Sequence, residues 1–215
     1  MVSSPHPSSA PAAGKRQLMD AAIRLLAQQQ GSGHLSLREL AREAGLNHNT
    51  FYRHFTDLSE LQVALMDDFT QQLRAGVQRA RANQVTQHAI THRVVGWLFD
   101  FAKTHREVFL VAYRTLHGPP SQGRTLLEHC LAELRVDMLR EQRTMGLLPP
   151  GHDEVWLRVL AVYGRTVYGL IVRYLEAPRQ RQALLREAEE LLAILVNGTL
   201  ALHPSSEASI PLRQS

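Results

Sequence analysis

Apolar residues recur every three or four positions along almost the whole chain, which is the spacing that places them on one face of an α-helix. The clearest case is the segment 153–177, where Trp156, Leu160, Tyr163 and Val167 follow this spacing. The alternation of apolar and polar residues that indicates strands is almost absent. We therefore predict an all-α fold.

Proline and glycine clusters divide this pattern into separate helices, with breaks at HGPPSQG, GLLPPG and APR. Two capping boxes, Ser36–Glu39 and Asp57–Glu60, predict the starts of the second and fourth helices. Asn47 is the expected cap of the third helix. The predicted helices, apart from this third one, span residues 14–30, 37–44, 58–82, 86–103, 105–117, 121–145, 153–177 and 179–202.

Composition is that of an ordinary soluble globular protein, with 44% hydrophobic and 20% charged residues. No apolar run reaches the length of a membrane span, and the first residues lack the apolar core of a secretion signal. Residues 1–12 and 204–215 are predicted to be a disordered leader and tail. The single cysteine, Cys130, excludes an internal disulfide and fits a reducing compartment. We expect a cytoplasmic protein without a membrane partner.

Two short helices joined by a tight turn stand out in LRELAREAGLNHNTFYRHF, from Leu37 to Phe55. Gly45 is the residue best suited to the left-handed turn that ends the first helix, so the pair predicts a helix-turn-helix. Phe51 and Phe55 would hold the second helix of this pair, which is the third helix of the chain, against the protein's interior. The net charge of +4 is mild, but six of the basic residues lie between positions 13 and 56, where only three acidic residues oppose them.

The rest of the second helix is polar and is expected to face outward. A row of amides, hydroxyls and cations is typical of a surface that reads a DNA groove. A helical hairpin with a solvated polar face is the alternative. The predicted DNA-contacting residues are Arg38, Asn47, His48, Asn49, Thr50, Tyr52, Arg53 and His54.

The string LSLRELAREAGLNHNTFYRHFTDLSEL, preceded by GKRQLMDAAIRLLAQQQG, resembles the DNA-binding domain of the TetR family of bacterial transcriptional regulators. The resemblance covers about residues 14–65 and is carried by TFYRHF at 50–55 and LRELAREAGL at 37–46. It implies a helix-turn-helix DNA-binding domain at 13–57 and a larger helical ligand-binding and dimerisation domain at 58–203.

This resemblance also implies roles for individual residues. Thr50 and Tyr52 occupy positions that contact phosphates and base edges, and His54 occupies a phosphate contact. His48 and Asn49 occupy variable positions that set sequence preference. Members of the family often carry a lysine just before the fourth helix, where this chain reads TDLSEL. The phosphate contact expected there would be absent or made by the helix N-terminus behind Asp57.

The resemblance implies that the last two helices form a dimer's four-helix interface, although a purely internal core is the alternative for their apolar stripes. The candidate interface residues are Trp156, Tyr163, Val167 and Ile171, with Leu184, Leu192 and Leu195 around Ala188. The helices between residues 57 and 146 would enclose a ligand pocket. Its candidate lining residues, each of which also fits plain core, are Trp97, Phe101, Phe109, Tyr113, Arg114, Leu126 and Cys130.

A weaker resemblance, carried by the missing lysine and by FDFAKTHREVFLVAYR, is to the branch that represses unsaturated fatty-acid synthesis. It implies a long-chain acyl-CoA or acyl-carrier thioester as effector, with Arg114 or a neighbouring arginine at its polar head. A regulator of efflux or catabolic genes with a different hydrophobic inducer is the alternative.

Other classes of function fit the sequence less well. His88 and His92 lie four residues apart on a helix, but no third ligand follows at a readable spacing, so we predict neither a metal nor a cofactor. GSGH at 31–34 follows no strand and is not a phosphate loop, and we predict no enzyme activity. A non-specific architectural DNA-binding protein would be far more basic. We therefore predict a homodimeric repressor that binds a palindromic operator and responds to a small ligand.

Overall fold

The computed structural model describes residues 9–28, 35–82 and 86–203, and every regular element in these ranges is helical. The all-α prediction is therefore confirmed. The elements are α1 Ser9–Gln28, α2 Leu37–Ala44, α3 His48–Phe51, α4 Leu58–Arg81, α5 Gln87–Thr104, α6 Arg106–His117, α7 Gln122–Thr144, α8 Asp153–Glu176 and α9 Arg181–Leu202, with a 3-10 helix at Pro178–Gln180.

Most observed boundaries lie within one or two residues of the predicted ones, but the first helix begins earlier than expected. It starts at Ser9, so residues 9–12 of the predicted leader are helical. Pro11 does not prevent this, because a helix leaves the N–H groups of its first turn unpaired and proline lacks only that group. Residues 1–8, 29–34 and 204–215, which include the rest of the leader, the predicted end of this helix and the tail, lie outside the described residues.

Both predicted helix caps are present, but in neither does the glutamate accept from the N–H of the cap residue as in a full capping box. The Ser36 hydroxyl accepts a hydrogen bond from the Glu39 N–H (3.2 Å) and donates one to the Glu39 carboxylate (2.8 Å). The Asp57 carboxylate accepts from the Glu60 N–H at 2.8 Å. Glu60 reaches back to Thr56 rather than Asp57, and accepts from its N–H at 2.6 Å and its hydroxyl at 2.7 Å. These two bonds lower the pKa of Glu60.

One compact unit comprises the described residues up to Gln72 together with His105–Glu128. Within it α1 packs against α2, α3 and α6. The fully buried Phe69 on α4 contacts Phe109 on α6 edge to face, with ring centroids 5.9 Å apart. This unit extends beyond the predicted domain boundary at residue 57, because the core around α1 also includes side chains from α4 and α6.

The other unit comprises Leu73–Thr104 and the described residues from His129 onward. Helices α5, α8 and α9 pack together, and Phe99 meets Tyr174 edge to face at 4.8 Å. The second half of α4 is joined to α7 by ion pairs. Arg74 pairs with Glu133 at 3.1 Å and with Asp137, while the buried Arg81 pairs with Glu141.

Helix α8 is long and apolar enough, by length and composition alone, to cross a membrane. Its mean hydropathy is 1.4, and 33% of the most apolar window is buried inside the protein. One such helix is weak support for a membrane span, because core helices of soluble proteins pass the same test. Its apolar character comes largely from side chains buried within the chain, such as Trp156 and Ile171.

The contact between Gly76 on α4 and Trp97 on α5 generates a stability prediction. A Cβ atom at Gly76 would lie 1.8 Å from Cζ2 of Trp97, so Gly76→Ala must displace the indole or the helix. We expect a loss of about 1–3 kcal/mol in the free energy of unfolding, measured by urea titration.

The matched control for this change is Gly96→Ala on α5. A Cβ there meets no atom within 4 Å, so the better helix propensity of alanine should raise stability by up to about 1 kcal/mol. Equal stability of the two variants would show that the Gly76–Trp97 contact does not form.

Candidate functional site

The turn between α2 and α3 has the geometry of a glycine-terminated helix. Gly45 is left-handed (φ 66°, ψ 26°). Its N–H donates to the Arg42 carbonyl at 3.1 Å, and the Leu46 N–H donates to the Ala41 carbonyl at 3.0 Å. The side chain of Asn47 then accepts from the Asn49 N–H at 3.0 Å and begins α3. Helix α3 therefore leaves the end of α2 within three residues.

Two aromatic side chains hold this corner against the unit's core. Phe51 and Phe55 are 1% and 2% exposed, and their rings lie 5.7 Å apart. Leu40 on α2 is fully buried as well. The inward half of the predicted helix-turn-helix is thus formed as the sequence indicated.

Polar residues occupy the outer side of the corner. Asn47, His48, Asn49 and Arg53 are exposed, and Thr50 is half-buried. His54 is half-buried because its ring lies against α1, where a Cβ at Gly14 would approach its Nε2 to 2.9 Å. The outer edge contains amide, imidazole and guanidinium groups that remain accessible to a ligand.

Tyr52 is the most prominent side chain on this edge, with 58% of its surface exposed. It follows α3 rather than lying within it, because the helix ends at Phe51 and a turn carries the chain to Phe55. The ring meets His48 edge to face at 5.5 Å and Phe51 at 5.4 Å. These contacts hold the ring on an exposed part of the corner.

Basic residues near the corner differ in whether acids neutralise them. Arg16 pairs with Asp20 and Asp68, and Arg24 pairs with Glu43 at 2.8 Å. Within the described residues, no ion pair involves the exposed Arg38, Arg42 or Arg53. Arg42 was missed as a candidate because its helical position resembles that of an ordinary surface residue. The arginines of the corner that no ion pair neutralises therefore lie on α2 and beside α3.

The N-terminus of α4 is already occupied by side chains of its own chain. Asp57 caps the Glu60 N–H, and Glu60 binds the N–H and hydroxyl of Thr56. A phosphate approaching this helix end would meet two carboxylates. The sequence analysis suggested that the helix N-terminus behind Asp57 could make the phosphate contact of the absent lysine. Phosphate binding at this position is therefore unfavourable.

The predicted pocket residues are distributed over both compact units. Phe109, Tyr113, Arg114 and Leu126 belong to the first unit, whereas Trp97, Phe101 and Cys130 belong to the second. Phe101 and Phe109 are buried, Cys130, Leu126 and Trp97 are half-buried, and Tyr113 lies against His117 at 4.2 Å. The seven residues are thus divided between the two units.

Each unit has a cavity that one of these residues lines. In the first unit, a cavity of about 240 Å³ is lined by Arg114 together with Leu65, Met66 and Val111. Arg114 donates to the carbonyls of Leu26 at 3.0 Å and Ala27 at 3.3 Å, at the end of α1. In the second unit, Trp97 lines a groove of about 450 Å³ between α4 and α5.

Most of the residues predicted for the dimer interface are buried within the chain itself. Trp156, Tyr163, Val167, Ile171, Leu184 and Leu192 are all less than 10% exposed, and Leu195 is half-buried. The exposed apolar side chains of the same helices are Val162 on α8 (44%) and Ile194 (68%) and Leu202 (78%) on α9. Any contact with a partner would therefore use these outward positions rather than the buried stripe.

Histidines in the described part of the chain form no metal-binding cluster with Cys, Asp or Glu. His92 instead contacts Glu189 on α9, with 2.8 Å between Nδ1 and the carboxylate. His88 is exposed.

Comparison with known proteins places these features in context. Residues 18–65, which contain the corner, match the family described as bacterial regulatory proteins, tetR family. An uncharacterized HTH-type transcriptional regulator from Haemophilus influenzae is 33% identical over 124 residues, which is 56% of this chain. The match spans 60% of the length of that relative.

Two solved structures share the fold over nearly the whole chain. The structure of the transcriptional regulator FadR from Bacillus subtilis, in complex with stearoyl-CoA, has a TM-score of 0.63 and 17% identity. The match covers 85% of this chain and 98% of the FadR chain. SmeT is the repressor of the Stenotrophomonas maltophilia multidrug efflux pump SmeDEF. Its structure has a TM-score of 0.62 and 17% identity, and the match covers 93% of this chain and 94% of SmeT.

Proposed function

We propose that this chain, whose residues 18–65 match the tetR family of bacterial regulatory proteins, is a cytoplasmic homodimeric repressor of transcription of that family. It binds a palindromic DNA operator and responds to a small hydrophobic ligand. The observation that carries this proposal is the polar edge at 47–54, which is held outward by a rigid corner and flanked by unpaired arginines. A solvated hairpin has no need of an exposed tyrosine fixed by two aromatic neighbours.

Recognition of a palindrome requires two such edges. Two recognition helices, one from each protomer, would enter successive major grooves on one face of the duplex, about 34–36 Å apart. Amides of Asn47 and Asn49 and the hydroxyl of Tyr52 supply donors and acceptors for base edges or phosphates. Arg38, Arg42 and Arg53 supply charge for the phosphate backbone.

The outward face of α8 and α9 is the surface we assign to the dimer. Ile194, Gly198 and Leu202 follow one another at four-residue intervals on α9, and Val162 is exposed on α8. A Cβ at Gly198 meets nothing within 4 Å, so a neighbouring helix has room to approach the backbone there. A second copy packed on this face would cover the apolar groups that the chain itself leaves exposed on α8 and α9.

The effector we propose is a long-chain acyl-CoA. This rests on the fold shared with a regulator that binds stearoyl-CoA and on the weaker sequence resemblance to regulators of fatty-acid synthesis. Apolar side chains of Leu65, Met66 and Val111 line the cavity of the first unit and suit an acyl chain. A ligand of this kind would act by favouring a dimer with wrongly spaced recognition helices, to the extent that it binds the two states unequally.

A regulator of efflux genes with a different hydrophobic inducer is the second candidate. The observation that favours it is the equally good fold match to SmeT. The two candidates share the DNA interface and differ only in the ligand.

Tyr52→Ala tests the DNA interface directly. Because the side chain is exposed and its loss leaves Phe51 and Phe55 in place, the fold and the dimer should persist. Specific operator binding should weaken by about 1–3 kcal/mol, measured by fluorescence anisotropy at fixed salt concentration. Met145→Ala, an exposed truncation at the end of α7, is the control and should bind like the parent. Unchanged affinity of Tyr52→Ala would remove this residue from the interface.

Val162→Arg combined with Ile194→Arg tests the dimer surface. Two buried, unpaired charges per protomer should separate the copies, so sedimentation at micromolar concentration should show monomers that bind the operator poorly. The matched control is Val136→Arg with Met145→Arg, which places the same charges on the exposed apolar residues of α7 and the turn after it. A dimer that survives the first pair but not the second would place the interface on α7.

The effector proposal predicts that palmitoyl-CoA at micromolar concentration changes operator affinity. An unreactive, non-acylated detergent of similar chain length serves as the control for non-specific unfolding. If palmitoyl-CoA has no effect while other hydrophobic compounds release the operator, the second candidate replaces the first.

A further inference from the structure

The groove between the second half of α4 and α5 is lined by side chains that have no part in the proposed DNA binding or dimerisation. Its volume is about 450 Å³, and it lies wholly within the second compact unit. Polar and aromatic side chains dominate its wall, together with one glycine. They are Arg79, His92, Arg93, Gly96, Trp97 and Asp100.

Two guanidinium groups share this groove without a carboxylate partner. Within the described residues, Arg79 and Arg93 take part in no ion pair, whereas Arg74 and Arg81 on the same α4 are neutralised by acids of α7. The link at 83–85 has the sequence Asn-Gln-Val and supplies no acid. An anion bound in the groove would therefore meet two arginines that no carboxylate of the described residues pairs with.

The aromatic wall of the groove is fixed in advance. Trp97 packs so closely on Gly76 that no other residue would fit there, and it stacks on Phe101 with centroids 4.9 Å apart and planes 22° apart. The Nδ1 atom of His92 lies within hydrogen-bond distance of the Glu189 carboxylate, which orients the imidazole. A ligand would therefore find the indole and imidazole already placed, which lowers the entropy lost on binding.

The order of groups along the groove limits the ligand's shape. On α5, Arg93 lies one turn before Trp97, and Arg79 of α4 lines the same groove. Asp100 follows one turn beyond Trp97, about 10 Å from Arg93 along the helix. The order of groups along α5 is therefore cation, aromatic ring, carboxylate. A nucleotide presents the complementary series of phosphate, planar base and exocyclic amine.

The other arginine near a cavity is already engaged. Arg114, which the sequence suggested for the polar head of an effector, donates to two main-chain carbonyls at the end of α1. Both bonds use its Nη1 group. No hydrogen bond or ion pair among the described residues commits Arg79 or Arg93 in this way.

We propose that this groove binds the nucleotide end of a coenzyme A thioester, an inference that rests on the acyl-CoA effector proposed above. Arg79 and Arg93 donate charge-assisted hydrogen bonds to phosphate oxygens. The base lies against the accessible part of the Trp97 indole, and its exocyclic amine donates to the Asp100 carboxylate.

The test compares three probes on the full-length protein by calorimetry: coenzyme A without an acyl chain, palmitoyl-CoA below its micelle concentration, and palmitate. The variant is Arg79→Gln with Arg93→Gln. Its matched control is Arg106→Gln with Arg179→Gln, which removes the same charge from two other exposed arginines. Operator affinity without ligand is measured for all proteins and should not change, which shows that each variant is folded.

We expect coenzyme A alone to bind the parent, and the groove variant to bind coenzyme A and palmitoyl-CoA about tenfold or more weakly. Palmitate binding and the control variant should match the parent. Equal affinity of parent and groove variant for palmitoyl-CoA would overturn the groove assignment and leave the effector proposal intact.

A second pair of outcomes would contradict the effector proposal rather than the groove assignment, or both. If palmitoyl-CoA leaves operator binding unchanged while coenzyme A still binds in an Arg79- and Arg93-dependent way, the effector proposal fails and the nucleotide groove stands. If neither coenzyme A nor palmitoyl-CoA binds the parent, both fail.

Discussion

The left-handed backbone of Gly45 determines where every polar side chain of the candidate DNA-contacting edge lies. With φ at 66°, Gly45 and Leu46 return their N–H groups to the last carbonyls of α2, and the chain can begin α3 at once. A β-carbon at this φ is disfavoured, so few residues other than glycine allow the turn. Phe51 and Phe55 then occupy the inward direction. Tyr52 and Arg53 between them are exposed, whereas His54 lies against α1, so most of this polar sequence becomes a polar surface.

Helix α1 supports this corner and is itself held near both ends by side chains from later in the chain. The ring of His54 lies against Gly14 near its start. Arg114 on α6 donates to the Leu26 and Ala27 carbonyls near its end, where unpaired carbonyl groups and the helix dipole favour a cation. Since α1 also packs on α2 and α3, a displacement of α6 would be transmitted to the corner through α1. Ligand binding beside α6 therefore has a short physical route to the DNA-contacting edge.

Local chemistry explains which features could be predicted from the sequence. Ser36, Gly45 and Asp57 mark helix ends correctly because a cap bonds to groups two or three residues away. Apolar periodicity identifies a stripe but not what covers it, and so it could not show that Tyr163 and Leu192 are buried by their own chain. The partner of Arg114 lies 88 residues away, beyond any local pattern. The match of residues 18–65 to a known family supplied the DNA-binding interpretation that spacing alone left open.

The arginines of α4 show how one helix serves two purposes on opposite sides. Arg74 and Arg81 face α7, where three carboxylates neutralise them and hold the two helices together. Arg79 lies on the side facing α5 and shares a groove with Arg93, where no carboxylate in the described residues pairs with either. An anion bound between them would contribute on this side the attraction that the carboxylates of α7 contribute on the other. It would draw the last turns of α4 toward α5, where Gly76 and Trp97 already touch, and so stabilise the pair of helices only when the ligand is bound.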